Sequence, residues 1–436
     1  MKNILQILIL FIGFNFYGQV TIVVEEYPKE SSKESPIFIS GDFEGWSGGK
    51  KEYQLQKTGN KYSITLPKIG NNINFKFTQG SWASVESDKK GLSLGNRTYV
   101  FNKENDTLKV AIANWSHLFK KVKTTSTASK NVSILKTDFY IAQLNAKRRV
   151  WLYLPTDYAA SKEKYAVVYM HDGQNLFDKS TSGYGEWKVD ETLDKLYREK
   201  GLKLIVVGVD HGGSERLNEY SPFKNEKYGG GKGDAYLDFV VNTLKPYIDS
   251  NYRTLSDKKN TGIMGSSMGG LISHYAALKY PKVFGKVGVY SPAFWFSPKI
   301  NKYSIENGNL KDTKMYFLAG GKEGTNVAYN EISKTVTDMN NVVFMLKNNG
   351  FTKENIKSKV VAEGKHNEKL WSTNFEETIL WLFKDVIKER SFVDAKFSEN
   401  QLEIKVSDGA YKMHFYQPEI IETSFIPKGE IFKKDS

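Results

Sequence analysis

The chain has 436 residues, which predicts more than one domain, and its 40% hydrophobic and 25% charged content is typical of a soluble globular protein. The formal net charge is +13, but the lysines are scattered, so the sequence predicts no nucleic-acid-binding surface. Because cysteine is absent, disulfides, thiolate metal sites, a cysteine nucleophile and a lipid-modified N-terminal cysteine are all excluded.

Residues 1–18 have the pattern of a secretory signal peptide. Lys2 precedes a largely apolar run over residues 4–16, and we expect cleavage after Gly18. The run is shorter than the ~20 apolar residues of a membrane-spanning helix, which makes an uncleaved anchor the less favoured alternative. The sequence therefore predicts a secreted or periplasmic protein with no membrane contact after cleavage.

Residues 19–117 have strand character throughout. Short apolar runs at residues 20–24, 36–39, 61–66 and 74–77 are separated by clusters of Gly, Asn and Ser. Several short strands at this spacing predict a small all-β sandwich domain.

One turn of this predicted sandwich, Gly-Asp-Phe-Glu-Gly-Trp at residues 41–46, resembles the corresponding turn of starch-binding and glycogen-binding modules. The turn departs from those modules at Glu44, where they usually have Asn. The resemblance implies carbohydrate binding, and Trp46 and Trp82 are the candidate contacts because a flat indole stacks on a sugar ring. The alternative is that one or both tryptophans fill the sandwich core.

Residues 118–132 are rich in Lys, Thr and Ser, which predicts a linker. Over residues 133–390 strands alternate with helices, and the apolar runs at 166–170 and 204–209 suit strands buried on both faces. This pattern predicts an α/β domain with a mostly parallel sheet, whose chemistry gathers at the carboxyl ends of the strands. Residues 391–436 return to strand character and predict a small C-terminal β extension.

The sequence Gly-Ser-Ser-Met-Gly-Gly at residues 265–270 stands between a strand-like run and a helical one. Gly-x-Ser-x-Gly in this context predicts a nucleophile elbow with Ser267 at its tip. Gly265 and Gly269 leave room where strand and helix nearly touch. The alternatives are a turn of small residues without chemistry, and the neighbouring Ser266 as nucleophile.

A serine nucleophile needs a base and an acid that orients it. Of the six histidines, only His366 lies in the α/β domain after the serine and beyond its following helix. Glu323 is the only carboxylate in the turn after the strand-like run at 315–319, so we assign it as the acid, with Glu363 and Glu368 as rivals.

The tetrahedral intermediate of acyl transfer needs two amide donors. We expect the amide of Met268, next to the nucleophile, and the amide of Gln174, in the turn after the strand ending at residue 170. Trp295 and Trp187 are the candidate substrate contacts, and for each of them burial in the core is an equal alternative.

Residues 133–390 resemble the putative-esterase family of α/β-hydrolases, which includes enterochelin esterases, S-formylglutathione hydrolases, and acetyl-xylan and feruloyl esterases. The resemblance rests on residues 170–174, 265–270, 320–323 and 364–368. It implies a serine carboxylesterase that works through an acyl-enzyme and needs no cofactor. No metal site is predicted either, since the histidines are dispersed and His-Glu-x-x-His is absent.

The module-like front domain favours acylated carbohydrates as substrates. Two alternatives stay open. One is a siderophore (enterochelin-type) or polyester esterase in which the front domain is a spacer. The other is a carbohydrate-binding protein with an inert hydrolase domain. The sequence predicts no oligomeric state.

Overall fold

The computed structural model describes residues 18–28, 35–92, 94–119, 125–183, 185–310, 312–324, 333–387, 390–417 and 419–428. The predicted signal peptide lies outside these residues except for Gly18. The chain divides into two compact units, residues 1–122 and residues 123–436.

The first unit is built from short strands in separate sheets. One sheet has the order β3-β4-β1-β8 and another the order β2-β5-β7, while β6 pairs with β9. The strands are β1 Gln19–Glu26, β2 Phe38–Gly41, β3 Gln56–Thr58, β4 Lys61–Pro67, β5 Asn72–Thr78, β6 Glu86–Ser87, β7 Arg97–Val100, β8 Asn105–Ala111 and β9 Asn114–Trp115.

Alternation of apolar and polar residues explains these strands. Val20, Ile22 and Val24 of β1 are fully buried, while the residues between them are partly exposed. Successive strand residues point to opposite faces, so this pattern gives the sheet one core face. Trp115 is also fully buried in this core.

The second unit centres on an eight-stranded sheet with the order β10-β11-β13-β12-β16-β17-β18-β19. The six strands from β13 to β19 in this order run parallel, whereas β10 and β11 are antiparallel to their neighbours. The bounds are β10 Val132–Ile141, β11 Ala146–Tyr153, β12 Ala166–His171, β13 Leu204–Val209, β16 Thr261–Ser266, β17 Lys286–Tyr290, β18 Lys314–Gly320 and β19 Ile356–Val361, and a separate ribbon consists of β14 Lys224–Asn225 and β15 Gly229–Gly230.

Helices connect these strands, and a buried core lies on each side of the sheet. Residues Met268 to Leu278 of the helix after β16 are all buried, because that helix contains almost no charged residue. The helices are α1 Val189–Lys200, α2 Arg216–Glu219, α3 Gly233–Phe239, α4 Lys245–Asn251, α5 Met268–Lys279, α6 Lys299–Asn307, α7 Lys334–Asn348 and α8 Glu368–Phe383. The predicted fold class, an α/β-hydrolase with a mostly parallel sheet preceded by a small all-β sandwich, is confirmed.

The C-terminal residues form an antiparallel sheet in the order β20-β21-β22-β23. Arg390 attaches this sheet to α1, since its guanidinium bonds the carbonyls of Tyr197 and Arg198 as well as Asp408. The strands are β20 Phe392–Ser398, β21 Gln401–Val406, β22 Gly409–Gln417 and β23 Ile420–Pro427. Within the described ranges, no helix has the length and apolar character needed to cross a bilayer.

Candidate active site

Ser267 occupies a strained turn between β16 and α5. Its φ of 59° and ψ of −120° lie in a region that non-glycine residues rarely adopt. A Cβ on Gly265 would stand 2.8 Å from the His171 ring and 2.9 Å from the backbone of Gly269. Glycine is therefore required beside the serine, and the elbow predicted from the sequence forms at the carboxyl end of β16.

The turn after β17 is hydrogen-bonded to this elbow through the backbone. The amide of Ser267 donates to the carbonyl of Tyr290 at 2.9 Å, and the amide of Ala293 donates to the carbonyl of Ser267 at 3.0 Å. Because β17, β18 and β19 run parallel beside β16, the turns that follow all four strands meet at one edge of the sheet.

Glu323 and His366, which follow β18 and β19, are joined directly. Nδ1 of His366 donates to Oε2 of Glu323 at 2.9 Å, and Glu323 is only 2% exposed. The His366 side chain is 38% exposed, so its Nε2 edge can accept a proton from a nucleophile. This is the arrangement that a histidine base and its orienting acid require.

Ser267 and His366 both lie in the part of the chain that the structure describes, and they are not hydrogen-bonded to each other. Such bonds are often long or poorly aligned before substrate binds. The structure thus joins His366 to Glu323 directly and links Ser267 to them through the turn after β17.

His171 and His274, two other histidines of this unit, are hydrogen-bonded to other residues. His171 is buried, its Nδ1 is hydrogen-bonded to the Tyr236 hydroxyl at 2.8 Å, and burial lowers its pKa to about 4. His274 is buried on α5, where its Nε2 pairs with Ser304 Oγ at 2.8 Å and burial lowers its pKa to about 3. Both stay neutral at pH 7, and neither replaces His366.

Among the carboxylates that rival Glu323, Glu363 is exposed and Glu368 is 6% exposed. Burial raises the pKa of Glu368, and the charge of Asp172 raises it further. Asp172 itself forms a bidentate pair with Arg216, with distances of 2.7 and 2.8 Å. Burial by itself would raise the pKa of Asp172, but the guanidinium charge outweighs burial and holds the pKa below its usual range.

Ser291 and Trp371 complete the surroundings of Glu323, and the sequence analysis missed both. The Ser291 hydroxyl donates to Glu323 Oε1, which also accepts from the Gly320 amide at 2.7 Å. Trp371 Nε1 donates to Ser291 Oγ at 2.8 Å, and the Trp371 ring meets the His366 ring edge to face at 5.3 Å. The one available signal was the position of Ser291 directly after β17, at the edge where the chemistry gathers.

The amides expected to form the oxyanion hole lie on two neighbouring turns. Met268 is the first residue of α5, and Gln174 lies in the 3₁₀ turn Gly173–Asn175 that follows β12. First-turn amides have no intrahelical partner, so both can donate to a ligand. A Cβ on Gly269 would stand 3.5 Å from Oδ2 of Asp172, which shows how closely the two turns approach.

The two aromatic residues expected at the substrate have different surroundings. Trp187 is 2% exposed, stacks on Tyr290 at 5.3 Å and contacts Trp371, so the substrate contact assigned to it is replaced by a packing role. An aromatic residue in a loop at the sheet edge can point toward the substrate cleft or into the core, and Trp187 points into the core. Trp295 is 45% exposed beside Tyr228 and stays a candidate contact.

In the first unit, Trp46 and Trp82 form a half-buried pair with ring centroids 6.0 Å apart. Trp82 Nε1 donates to the carbonyl of Trp46 at 2.9 Å, which fixes the pair. Glu44 is 7% exposed, and its Oε1 accepts from the amides of Gly41 and Ser47. Glu44, where the sequence departs from those modules, therefore closes the turn as a buried acceptor.

Comparison with known proteins identifies the family. The sequence model of the putative esterase family matches residues 141–382, more than half of the chain. The chain belongs to the putative esterase family. Ester hydrolysis is the chemistry of this family, and the strand-end elbow, histidine and acid fall within the matched residues.

Individual relatives match over part of the chain. "Uncharacterized protein YbbA" of Bacillus subtilis is 28% identical over 246 residues, which are 54% of this chain and 92% of YbbA. An "Endo-1,4-beta-xylanase/feruloyl esterase" of Xylanibacter ruminicola is 26% identical over 257 residues, 58% of this chain and 31% of that protein. The enterobactin esterase FES of Shigella flexneri is 14% identical with a TM-score of 0.49, covering 84% of this chain and 93% of FES.

Proposed function

We propose that this protein is a serine carboxylesterase that acts through an acyl-enzyme, with acylated carbohydrates as its substrates. The observation that carries the mechanism is the hydrogen bond between His366 and Glu323. It lies at the same edge of the sheet as the strained turn of Ser267. Membership of the esterase family supports the ester as the reacting group.

In this mechanism the Ser267 hydroxyl attacks the ester carbonyl while His366 Nε2 takes its proton. Glu323 holds the ring through Nδ1 and stabilises its charged form. The amides of Met268 and Gln174 donate to the oxyanion of the tetrahedral intermediate. His366 then returns the proton to the leaving alcohol, and water activated by the same ring releases the acid.

The nucleophile is tested with Ser267→Ala and, as a matched control, Ser266→Ala. The two serines are adjacent in the chain, but Ser266 is the last residue of β16 and Ser267 is the residue in the strained turn. We expect Ser267→Ala to lose hydrolysis of p-nitrophenyl acetate and labelling by a fluorophosphonate probe, while Ser266→Ala is labelled. Activity retained by a folded Ser267→Ala protein would refute the mechanism, and a wild-type protein that is never labelled would favour an inert hydrolase domain.

Two observations support carbohydrate as the alcohol part of the substrate. The Trp46 and Trp82 pair presents indole surface in the first unit, and a relative bears the name of a xylanase and feruloyl esterase. The proposal is tested by a screen of acetylated and feruloylated oligosaccharides, with a tricatecholate siderophore ester as the competing substrate. Faster turnover of the siderophore ester would favour the alternative activity.

Sugar binding by the first unit is tested by pull-down on insoluble starch and xylan. We expect Trp46→Ala and Trp82→Ala to weaken retention, because stacking area is lost. Phe344→Ala is the matched control, since it removes an exposed aromatic ring from α7 of the other unit. Equal retention of all three variants and wild type would reject the pair as a sugar platform.

We also propose that the protein is exported, because residues 1–18 have the composition of a signal peptide. N-terminal sequencing of the protein recovered from cell fractions should begin at Gln19. A protein that retains Met1 would contradict the proposal.

A further inference from the structure

Three carboxylates that take no part in the proposed mechanism gather at the start of α1. One carboxylate oxygen from each of Glu186, Asp190 and Glu191 lies within 4.8 Å of the others, and we call these residues the acidic cluster. Asp190 is completely buried, and its Oδ1 has no hydrogen-bond partner. Glu191 Oε2 is buried without a partner as well. A buried carboxylate oxygen without a hydrogen-bond donor or a counter-charge is costly, and a bound cation would satisfy it.

Lys188 acts electrostatically on Glu186 but is not ion-paired with it. Among the described residues, no lysine or arginine forms an ion pair with the acidic cluster or with the neighbouring Asp178 and Asp194. This is notable in a chain with a net charge of +13.

The amino end of α1 accounts for only part of this concentration of charge. Asp190 and Glu191 are in the first turn, where the helix dipole provides the equivalent of roughly half a positive charge. Three carboxylates at one place exceed that, and two of their oxygens are left without donors.

We propose that Glu186, Asp190 and Glu191 bind one Ca²⁺ ion. Carboxylate oxygens are ligands of hard cations, and the cluster has no histidine or cysteine that would favour zinc. Mg²⁺ is usually held by one or two carboxylates and keeps several waters, whereas Ca²⁺ accepts a larger and less regular set of oxygens.

The bound ion would fix the segment that enters the hydrolase unit. Residues 125–131 are hydrogen-bonded to two members of the acidic cluster and to two neighbouring carboxylates. The Thr127 hydroxyl donates to Glu186 and the Ser129 amide to Asp190, while Ser126 Oγ donates to Asp178 and Asn131 Nδ2 to Asp194. Glu186 also precedes Trp187, whose ring packs on Trp371 beside His366. The ion would therefore stabilise the entry of the chain and the packing behind the catalytic histidine.

The experiment uses the full chain, freed of metal with EDTA and returned to chelator-free buffer. Calorimetric titration with CaCl₂ should show one binding event, and saturating Ca²⁺ should raise Tm by on the order of 5 °C. Asp190→Asn keeps the shape of the side chain but removes the buried charge, so it should lose both effects. Glu191→Gln tests the same ion from a partly exposed position if Asp190→Asn does not fold.

Glu306→Gln is the matched control, because it neutralises an exposed carboxylate on α6 and should retain full Ca²⁺ binding. Absence of a binding event and of a Tm shift in wild type would overturn the proposal. Binding that survives both Asp190→Asn and Glu191→Gln would place the ion elsewhere and would overturn it too. Because the readouts are heat and Tm, the result does not depend on the esterase activity.

Discussion

Replacing Ser291 with alanine should slow ester hydrolysis without weakening substrate binding. The Ser291 hydroxyl donates to Glu323 Oε1 and accepts from Trp371 Nε1, so it fixes both the acid and the ring that contacts His366. In the variant, Glu323 Oε2 keeps its bond with His366, and Oε1 keeps the Gly320 amide but loses its second donor. The carboxylate can then rotate away from the ring.

The size of the effect follows from the bond that is lost. A hydrogen bond to a charged group contributes about 1.5–3 kcal/mol, and every 1.36 kcal/mol changes a rate tenfold. We therefore expect kcat for p-nitrophenyl acetate to fall roughly 10- to 100-fold, with KM nearly unchanged. The Trp371 indole, 6% exposed, is left without its acceptor, which should lower the free energy of unfolding by about 1–3 kcal/mol.

Ser304→Ala is the matched control for this measurement. Ser304 is as buried as Ser291, and its hydroxyl pairs with His274, so the variant also deprives a buried ring nitrogen of its partner. It should lose stability but keep kcat. If urea unfolding shows a folded Ser291→Ala protein whose kcat falls less than about twofold, the positioning role of Ser291 is refuted.

Three further changes test the elbow and the buried charges. Gly265→Ala forces a Cβ into backbone 2.9 Å away and should cost roughly 3 kcal/mol of stability and most activity, whereas Gly183→Ala, which meets open space, should be neutral by thermal melting and assay. Asp172→Asn leaves Arg216 without its partner and should cost about 3 kcal/mol at neutral pH. The pKa of Asp172 in the folded protein is depressed, so the stabilisation is lost as pH falls through that pKa. The free energies of unfolding of variant and wild type, measured by urea titration, should therefore converge below about pH 4, and a difference that stays constant with pH would contradict the pairing. Burial lowers the pKa of His274 to about 3, so protons bind the unfolded chain more readily than the folded one as pH falls from about 7 to about 5. This group should account for about 2 kcal/mol of the wild-type loss in the free energy of unfolding between about pH 7 and pH 5, and His274→Gln should abolish that part of the loss. The same pH dependence of the free energy of unfolding in variant and wild type would reject a neutral buried ring.

The sequence alone predicted the fold class because each unit has a distinct hydrophobic period. Alternation marks β1, and continuous apolar runs mark β12 and β13 of the central sheet. The elbow was also predictable, since glycine is obligatory at Gly265 and the pattern is local. His366 and Glu323 followed from position after strands, and the structure joins them, while their catalytic roles stay predictions.

The supporting residues could not be predicted for reasons of packing. Ser291 has no pattern of its own, and its role exists only because strands far apart in the sequence end side by side. For Trp187 the sequence left substrate contact and burial in the core equally open, because whether an aromatic ring turns inward depends on whether space such as that beside Tyr290 is available. The acidic cluster escaped notice because carboxylates in a first helical turn, like Asp190, usually satisfy the helix end.

The burial of α5 over residues 268–278 has a consequence for how the protein loses activity on heating. The amides that follow Ser267 belong to a helix with no exposed face over residues 268–278, so they can meet solvent only when the unit opens as a whole. Deuterium uptake along this helix should be among the slowest in the molecule. Thermal inactivation should accordingly coincide with global melting, because Ser267, the proposed nucleophile, is attached directly to this helix.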